Sequence, residues 1–210
     1  MKERELKKTS KVMPRINFVS IKNNATRFCD SELEVARLLQ LEFDDDIISY
    51  NTQPSSFFYT AYGKQNRYSP DTIIQHRVKG VYFEEVKPSS ELNKEINIEK
   101  FKLLSPFFTD ICGNELSLVS EKEIFNGDNI ANLKRLYRYL SLELSENCDS
   151  LLSTLPVKTT FSALIDFCEN NECDINDPLI LLAKKHYSFD ITVLLSPTTN
   201  LVKADDSIHI

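Results

Sequence analysis

The chain has 210 residues, 41% of them hydrophobic, enough for one large domain or two small ones with a real core. No stretch is long and apolar enough to cross a bilayer, and the first residues are polar and basic, so neither a membrane anchor nor a secretory leader is expected and the protein reads as cytoplasmic. Five cysteines without a C-x-x-C pair, beside three histidines, indicate neither a disulfide framework nor a structural zinc, and are expected as free thiols. The net charge of −6 is unevenly spread: Met1 to Arg27 holds eight basic residues against Glu3 and Glu5, so the remainder is strongly acidic.

In chain order, residues 1–27 read as a basic arm, in which Lys7, Lys8, Lys11 and Arg15 are candidates for neutralising backbone phosphates; a solvated tail is the alternative. A helix is expected to start near Leu33. Its apolar positions (Val35, Ala36, Leu38, Leu39, Leu41) cover most of its circumference, as in a buried helix. Ser31 and Glu34 have the spacing of a capping box at its start. Ile47–Tyr50 and Phe57–Tyr62 read as short strands around Gln53-Pro54, the aromatic cluster in the second being core. Tyr68–His76 and Val81–Lys87 are rich in β-branched and aromatic residues, and the glycine in Arg77-Val78-Lys79-Gly80 suits a tight connection between them. A helix over Glu91–Phe108 and a strand over Glu115–Val119 complete a first domain, 28–125. Turn residues Phe125-Asn126-Gly127-Asp128 separate it from 128–210. There, helices over Asn129–Leu144, Thr159–Asn170 and Leu179–Tyr187 precede strands at Phe189–Leu195 and Leu201–Lys203, the outline of a small winged-helix-like module. Lys184, Lys185 and His186 are either a contact patch or a helix end whose cations suit the dipole.

The chemistry concentrates in the hairpin. A turn centred near Val78 sets Asp71 opposite Glu85, and strand alternation turns Glu85 and Lys87 the same way. Two carboxylates that close repel unless a positive charge lies between them, and a hard divalent cation held by oxygen ligands, Mg²⁺ with Mn²⁺ able to substitute, meets that need. Pro70 fits at the start of a strand, where its missing N–H costs nothing. The alternative is that Asp71 caps a turn while Glu84, Glu85 and Lys87 decorate a solvated edge strand; Val81, Phe83 and Val86 argue for a central strand instead.

Taken together, Asp30-Ser31-Glu32-Leu33-Glu34, Gln53-Pro54, Arg67-Tyr68-Ser69-Pro70-Asp71 and Glu85-Val86-Lys87-Pro88-Ser89-Ser90-Glu91-Leu92 resemble the TnsA-like endonuclease subunits of heteromeric transposases, nucleases of the PD-(D/E)xK type. The resemblance implies an α/β, restriction-endonuclease-like core, a mixed sheet between helices, followed by the small helical module. It implies Asp71, Glu85, the backbone carbonyl of Val86 and Glu34 as metal ligands, with Lys87 orienting or activating water and stabilising negative charge. The implied activity is Mg²⁺-dependent nicking of the 5′ ends of a transposon in double-stranded DNA. The implied partners are a DDE-type (TnsB-like) transposase subunit and an AAA+ (TnsC-like) ATPase regulator, with no membrane, in a bacterial protein associated with the nucleoid when it acts. Two other readings stay open: a stand-alone restriction or repair nuclease using the same site, and a non-catalytic DNA- or protein-binding adaptor on a decayed nuclease fold.

Overall fold

A computed structural model describes residues 15–204, which divide into two compact units. The first holds residues 15–38 and 46–118, the second 39–45 and 119–204. Lys7, Lys8 and Lys11 lie outside the described residues.

The first unit opens with an antiparallel hairpin, β1 (Ile16–Ser20) and β2 (Ala25–Cys29). Strand structure therefore begins inside what composition alone marks as a basic arm. Helix α1 (Glu32–Phe43) starts one residue after Ser31, whose hydroxyl accepts from the Glu34 N–H at 3.2 Å. Strands β3 (Ile47–Thr52), β6 (Thr72–His76), β7 (Gly80–Val86) and β8 (Leu116–Val119) form a four-stranded sheet in the order β3-β6-β7-β8. Between β3 and β6, β4 (Phe57–Ala61) and β5 (Lys64–Tyr68) make a separate antiparallel hairpin. The single strand expected over Tyr68–His76 is thus two, because Pro70 has no N–H to continue a ladder. The β6–β7 connection is the three-residue loop Arg77-Val78-Lys79, closed by Gly80 at φ 75°, the left-handed conformation such a loop requires. Thr72 pairs with Glu84 and Ile74 with Tyr82, the register that a turn centred on Val78 dictates.

Strand β7 is central, and its alternation explains why helices pack on both of its faces. Phe83 points into a cluster with Tyr68, Phe101, Leu104, Phe108 and Leu116. Phe101 and Leu104 come from α3 (Glu95–Pro106), which follows the short α2 (Ser89–Leu92). One continuous helix over Glu91–Phe108 is not formed. It breaks at Asn93–Lys94, and after Pro106, which cannot donate to the helical ladder, the chain adds a single π turn, Phe107–Ile111. On the opposite face Glu84, 2% exposed, accepts two bonds from Arg37 of α1, from Nε at 2.8 Å and from the terminal nitrogen at 2.6 Å. The mixed α/β arrangement is compatible with a nuclease-like fold.

The second unit contains α4 (Glu121–Ile124), α5 (Asn129–Tyr137), α6 (Glu146–Ser150), α7 (Phe161–Asn170) and α8 (Asp177–Ala183). Its small antiparallel sheet runs β10-β11-β9, from Tyr187–Ser188, Asn200–Lys203 and Lys158–Thr160. The core centres on Leu136, Leu164, Leu181, Tyr187 and Leu201. The strand expected over Phe189–Leu195 is absent, since Asn132 takes over the bonds a neighbouring strand would make. Fully buried, its amide nitrogen donates to the carbonyls of Ile191 and Val193, and its oxygen accepts from the Leu195 N–H. Lys184 pairs with Glu143 and Lys185 with Asp45, so these cations are engaged within the unit.

Removing Arg37 strands a buried carboxylate. Arg37→Ala is expected to lower the unfolding free energy by about 3–5 kcal/mol in urea titrations, and Arg37→Met combined with Glu84→Leu to recover most of that loss.

Candidate active site

Asp71 is fixed at three points. Its N–H donates to the Glu84 carbonyl at 3.0 Å, its carbonyl accepts from the Gln53 N–H at 2.8 Å, and its carboxylate Oδ2 accepts from the Val86 N–H at 2.8 Å. Gln53 reaches that carbonyl from a left-handed conformation, φ 50°, which an L side chain adopts only where its surroundings hold it. Gln53-Pro54 and Pro70-Asp71, remote in sequence, are therefore one structural feature.

Glu85 lies across from Asp71 and is 2% exposed. Both of its oxygens are engaged: Oε2 accepts from the Tyr68 hydroxyl at 2.6 Å, and Oε1 pairs with the Lys87 ammonium. With Glu84 clamped by Arg37, neither acid decorates a solvated edge, and that reading of the strand is set aside. Val86, also buried, ends β7 beside them.

Glu34 makes the capping interaction in a variant form. Oε1 accepts from the Ser31 hydroxyl at 2.8 Å, and Oε2 accepts from the N–H of Asp30 at 3.0 Å, one residue before the cap. Its charge also acts on Asp71, on Lys87 and on the buried thiol of Cys29, which burial and this acidic surround push up to about 12. Capping and membership of the acidic cluster coexist in one side chain.

Like-charge crowding sets the electrostatics. Burial, then the charges of Glu85 and Glu34, push the Asp71 carboxyl up to about 7, against the Val86 N–H and Lys87, which favour the anion. Burial works against the Lys87 ammonium, but its bond to Glu85 and the charges of Glu85, Asp71 and Glu34 hold it above its ordinary value. Burial and the neighbouring Glu85 push the Tyr68 phenol far upward, so it remains a donor. This donor set, buried and half-buried oxygen ligands with an excess of negative charge, fits a hard divalent cation.

Asp71 also forms one wall of an open polar groove of about 740 Å³, with Arg15, Arg67, Ser56 and Ser69 among its lining. Arg67 donates to the Ser56 hydroxyl at 2.7 Å, and Arg15 lies 3.8 Å from Asp30. Sequence reasoning passed over Arg67 and Tyr68 as site residues, because neither belongs to the acid-x-lysine pattern.

Three thiols with no telling spacing, Cys148, Cys168 and Cys173, also converge, their sulfurs all within 4.8 Å of one another in the second unit. Two sit in an apolar core beside the buried Asp177, and burial pushes the Cys173 thiol up to about 11. These surroundings favour neutral thiols.

The fold and site thus describe a nuclease-like core with an acidic pair and a lysine gathered at the end of two paired strands. Residues 44–121 match the family described as TnsA-like endonuclease N terminal. The matched segment is thus similar to a TnsA-like endonuclease domain, and it carries Asp71, Glu85 and Lys87; Glu34 and Arg15 precede it. Such a domain implies a nuclease subunit of a heteromeric transposase, with DNA as substrate. A comparison with curated proteins found no match.

With its folded-state pKa raised from 3.8 to about 7, Asp71 binds a proton that the unfolded chain has released. In metal-free buffer its contribution to stability therefore falls as pH rises from the ordinary carboxylate range to neutrality. Asp71→Asn removes this dependence: the variant is expected to gain stability relative to the wild type across that range, and paired thermal melts at several pH values check it.

Proposed function

We propose that this protein is the DNA-nicking subunit of a two-subunit transposase, cutting the 5′ strands at the element's ends by divalent-metal-dependent hydrolysis. The observation that carries the reading is the convergence of Asp71, Glu85 and Lys87 at one end of β6 and β7, within the segment that matches the endonuclease family. Asp71, Glu85 and the Val86 carbonyl would hold Mg²⁺ or Mn²⁺, with Glu34 completing the set. The ion's chemistry is to lower the pKa of bound water and to neutralise charge on the phosphate being cut.

The chain's own groups supply the remainder. Tyr68 donates to Glu85 and keeps that carboxylate oriented. Lys87, which supplies the positive charge beside Glu85 in this structure, is placed to hold the attacking water and to stabilise the negative charge that builds on the phosphate. The polar groove beside Asp71 offers Arg15 and Arg67 to the duplex backbone, and Lys7, Lys8 and Lys11 extend the same basic character along the chain. The second unit is assigned to partner and DNA contacts, as a winged-helix-like module engaging the ATPase regulator. A separate DDE-type subunit cuts and joins the 3′ ends, so that both strands are released and transposition is cut-and-paste.

The test is a nicking assay on element-end DNA with and without the partner subunits and Mg²⁺. Asp71→Ala and Lys87→Ala are each expected to lower nicking on the order of a thousandfold or more while leaving assembly with the partners intact. Wild-type nicking that persists in EDTA would refute the metal-dependent mechanism.

A further inference from the structure

Helix α3 carries a second cation into the candidate active site. The Lys100 ammonium lies 4.6 Å from the centre of the Tyr68 ring and 5.2 Å from that of Phe101. Tyr68 is the residue whose hydroxyl donates to Glu85, so Lys100 rests on the aromatic face that supports a carboxylate of the cluster. Phe108 meets the same ring edge-on at 5.8 Å, which fixes the platform.

Lys100 differs from Lys87 in what it lacks. Lys87 is bonded to Glu85, whereas among the described residues the Lys100 ammonium forms no ion pair. It is half-buried, and burial, with repulsion from Lys87, draws it below its ordinary value even as Glu85 and Asp71 attract it. A partly desolvated ammonium held only by ring faces is under-compensated, since a cation–π contact offsets about 0.5–2 kcal/mol and a charge-assisted hydrogen bond to an anion contributes more. Beside Glu85 the other ammonium of the site, that of Lys87, is already engaged by a carboxylate. An incoming phosphodiester would bring an anion next to Asp71 and Glu85, where like charge opposes it, and a free cation at that spot answers the difficulty.

We infer that Lys100 is a phosphate-binding residue of the active site: its ammonium, positioned over the Tyr68 and Phe101 rings, takes a non-bridging oxygen of the DNA phosphate seated at the acidic cluster. The assignment rests on the nuclease reading above. It adds a substrate contact from a helix outside the acid-x-lysine motif.

The experiment uses the full chain and a fluorescein-labelled duplex, with Ca²⁺ in place of Mg²⁺ so that binding is read apart from cutting. Lys100→Met keeps the apolar stem and removes the charge; Lys100→Arg keeps the charge. For Lys100→Met, the slope of log affinity against log salt is expected to shrink by about 0.9, one phosphate contact. Nicking with Mg²⁺ and partners is expected to fall about tenfold to a hundredfold, with Lys100→Arg retaining most of both. The melting temperature without DNA should stay near the wild-type value. A neutral methylphosphonate walked along the cut strand should lose its effect on Lys100→Met at one position only. An unchanged salt slope with unchanged nicking would overturn the assignment while leaving the nuclease reading intact. A wild-type protein that neither binds the duplex nor cuts it would overturn both.

Discussion

A single residue held at three points, Asp71, is the constraint on which the site depends. Its amide and carbonyl are taken by Glu84 and Gln53, and its carboxylate by the Val86 N–H. These bonds place a half-buried negative charge against Glu85, an arrangement that costs free energy and that an unconstrained chain would relax by turning the side chain outward. Proximity of the pair is tolerable because Tyr68 and Lys87 engage both oxygens of Glu85 and the Val86 N–H engages one of Asp71. The cost that remains shows as the raised carboxyl of Asp71. On the proposed reading, a divalent cation would relieve this crowding, which is the thermodynamic sense of preorganisation.

The two faces of β7 divide the work. On one, Glu84 ties the strand to α1, and α1 in turn presents Glu34 to the cluster from its first turn. On the other, Phe83 and Glu85 meet the aromatic cluster, from which Tyr68 reaches Glu85 while Lys100 lies over the Tyr68 ring. Stability and chemistry therefore share one strand and alternate along it residue by residue. A substitution at Glu84 acts on the site through the position of α1, whereas one at Glu85 acts on it directly.

Glu34 shows how a local motif can hide a second role. Its carboxylate serves the helix start through Ser31 and Asp30, yet its charge is felt by Asp71 and Lys87. Helix amphipathicity could not separate these roles, because α1 is apolar around most of its circumference. Convergence of the three thiols was similarly out of reach, since Cys148, Cys168 and Cys173 come from two helices and a loop with no telling spacing.

By itself the sequence determined what depends on short-range rules. The β6–β7 register follows from the position of a three-residue loop and its glycine, and with it the opposition of Asp71 and Glu85 and the shared side of Glu85 and Lys87. Pro70 fixed where a strand could start. Tertiary structure alone decided what lies far apart along the chain: that Gln53 anchors Asp71, that Arg37 neutralises Glu84, and that Asn132 holds 189–195 out of a strand its composition favours. The same holds for Lys100, which has no motif and whose place over Tyr68 depends on how α3 packs. The physical reason is common to all four. Hydrogen bonds and desolvation act through space, and only the folded chain brings such groups within their range.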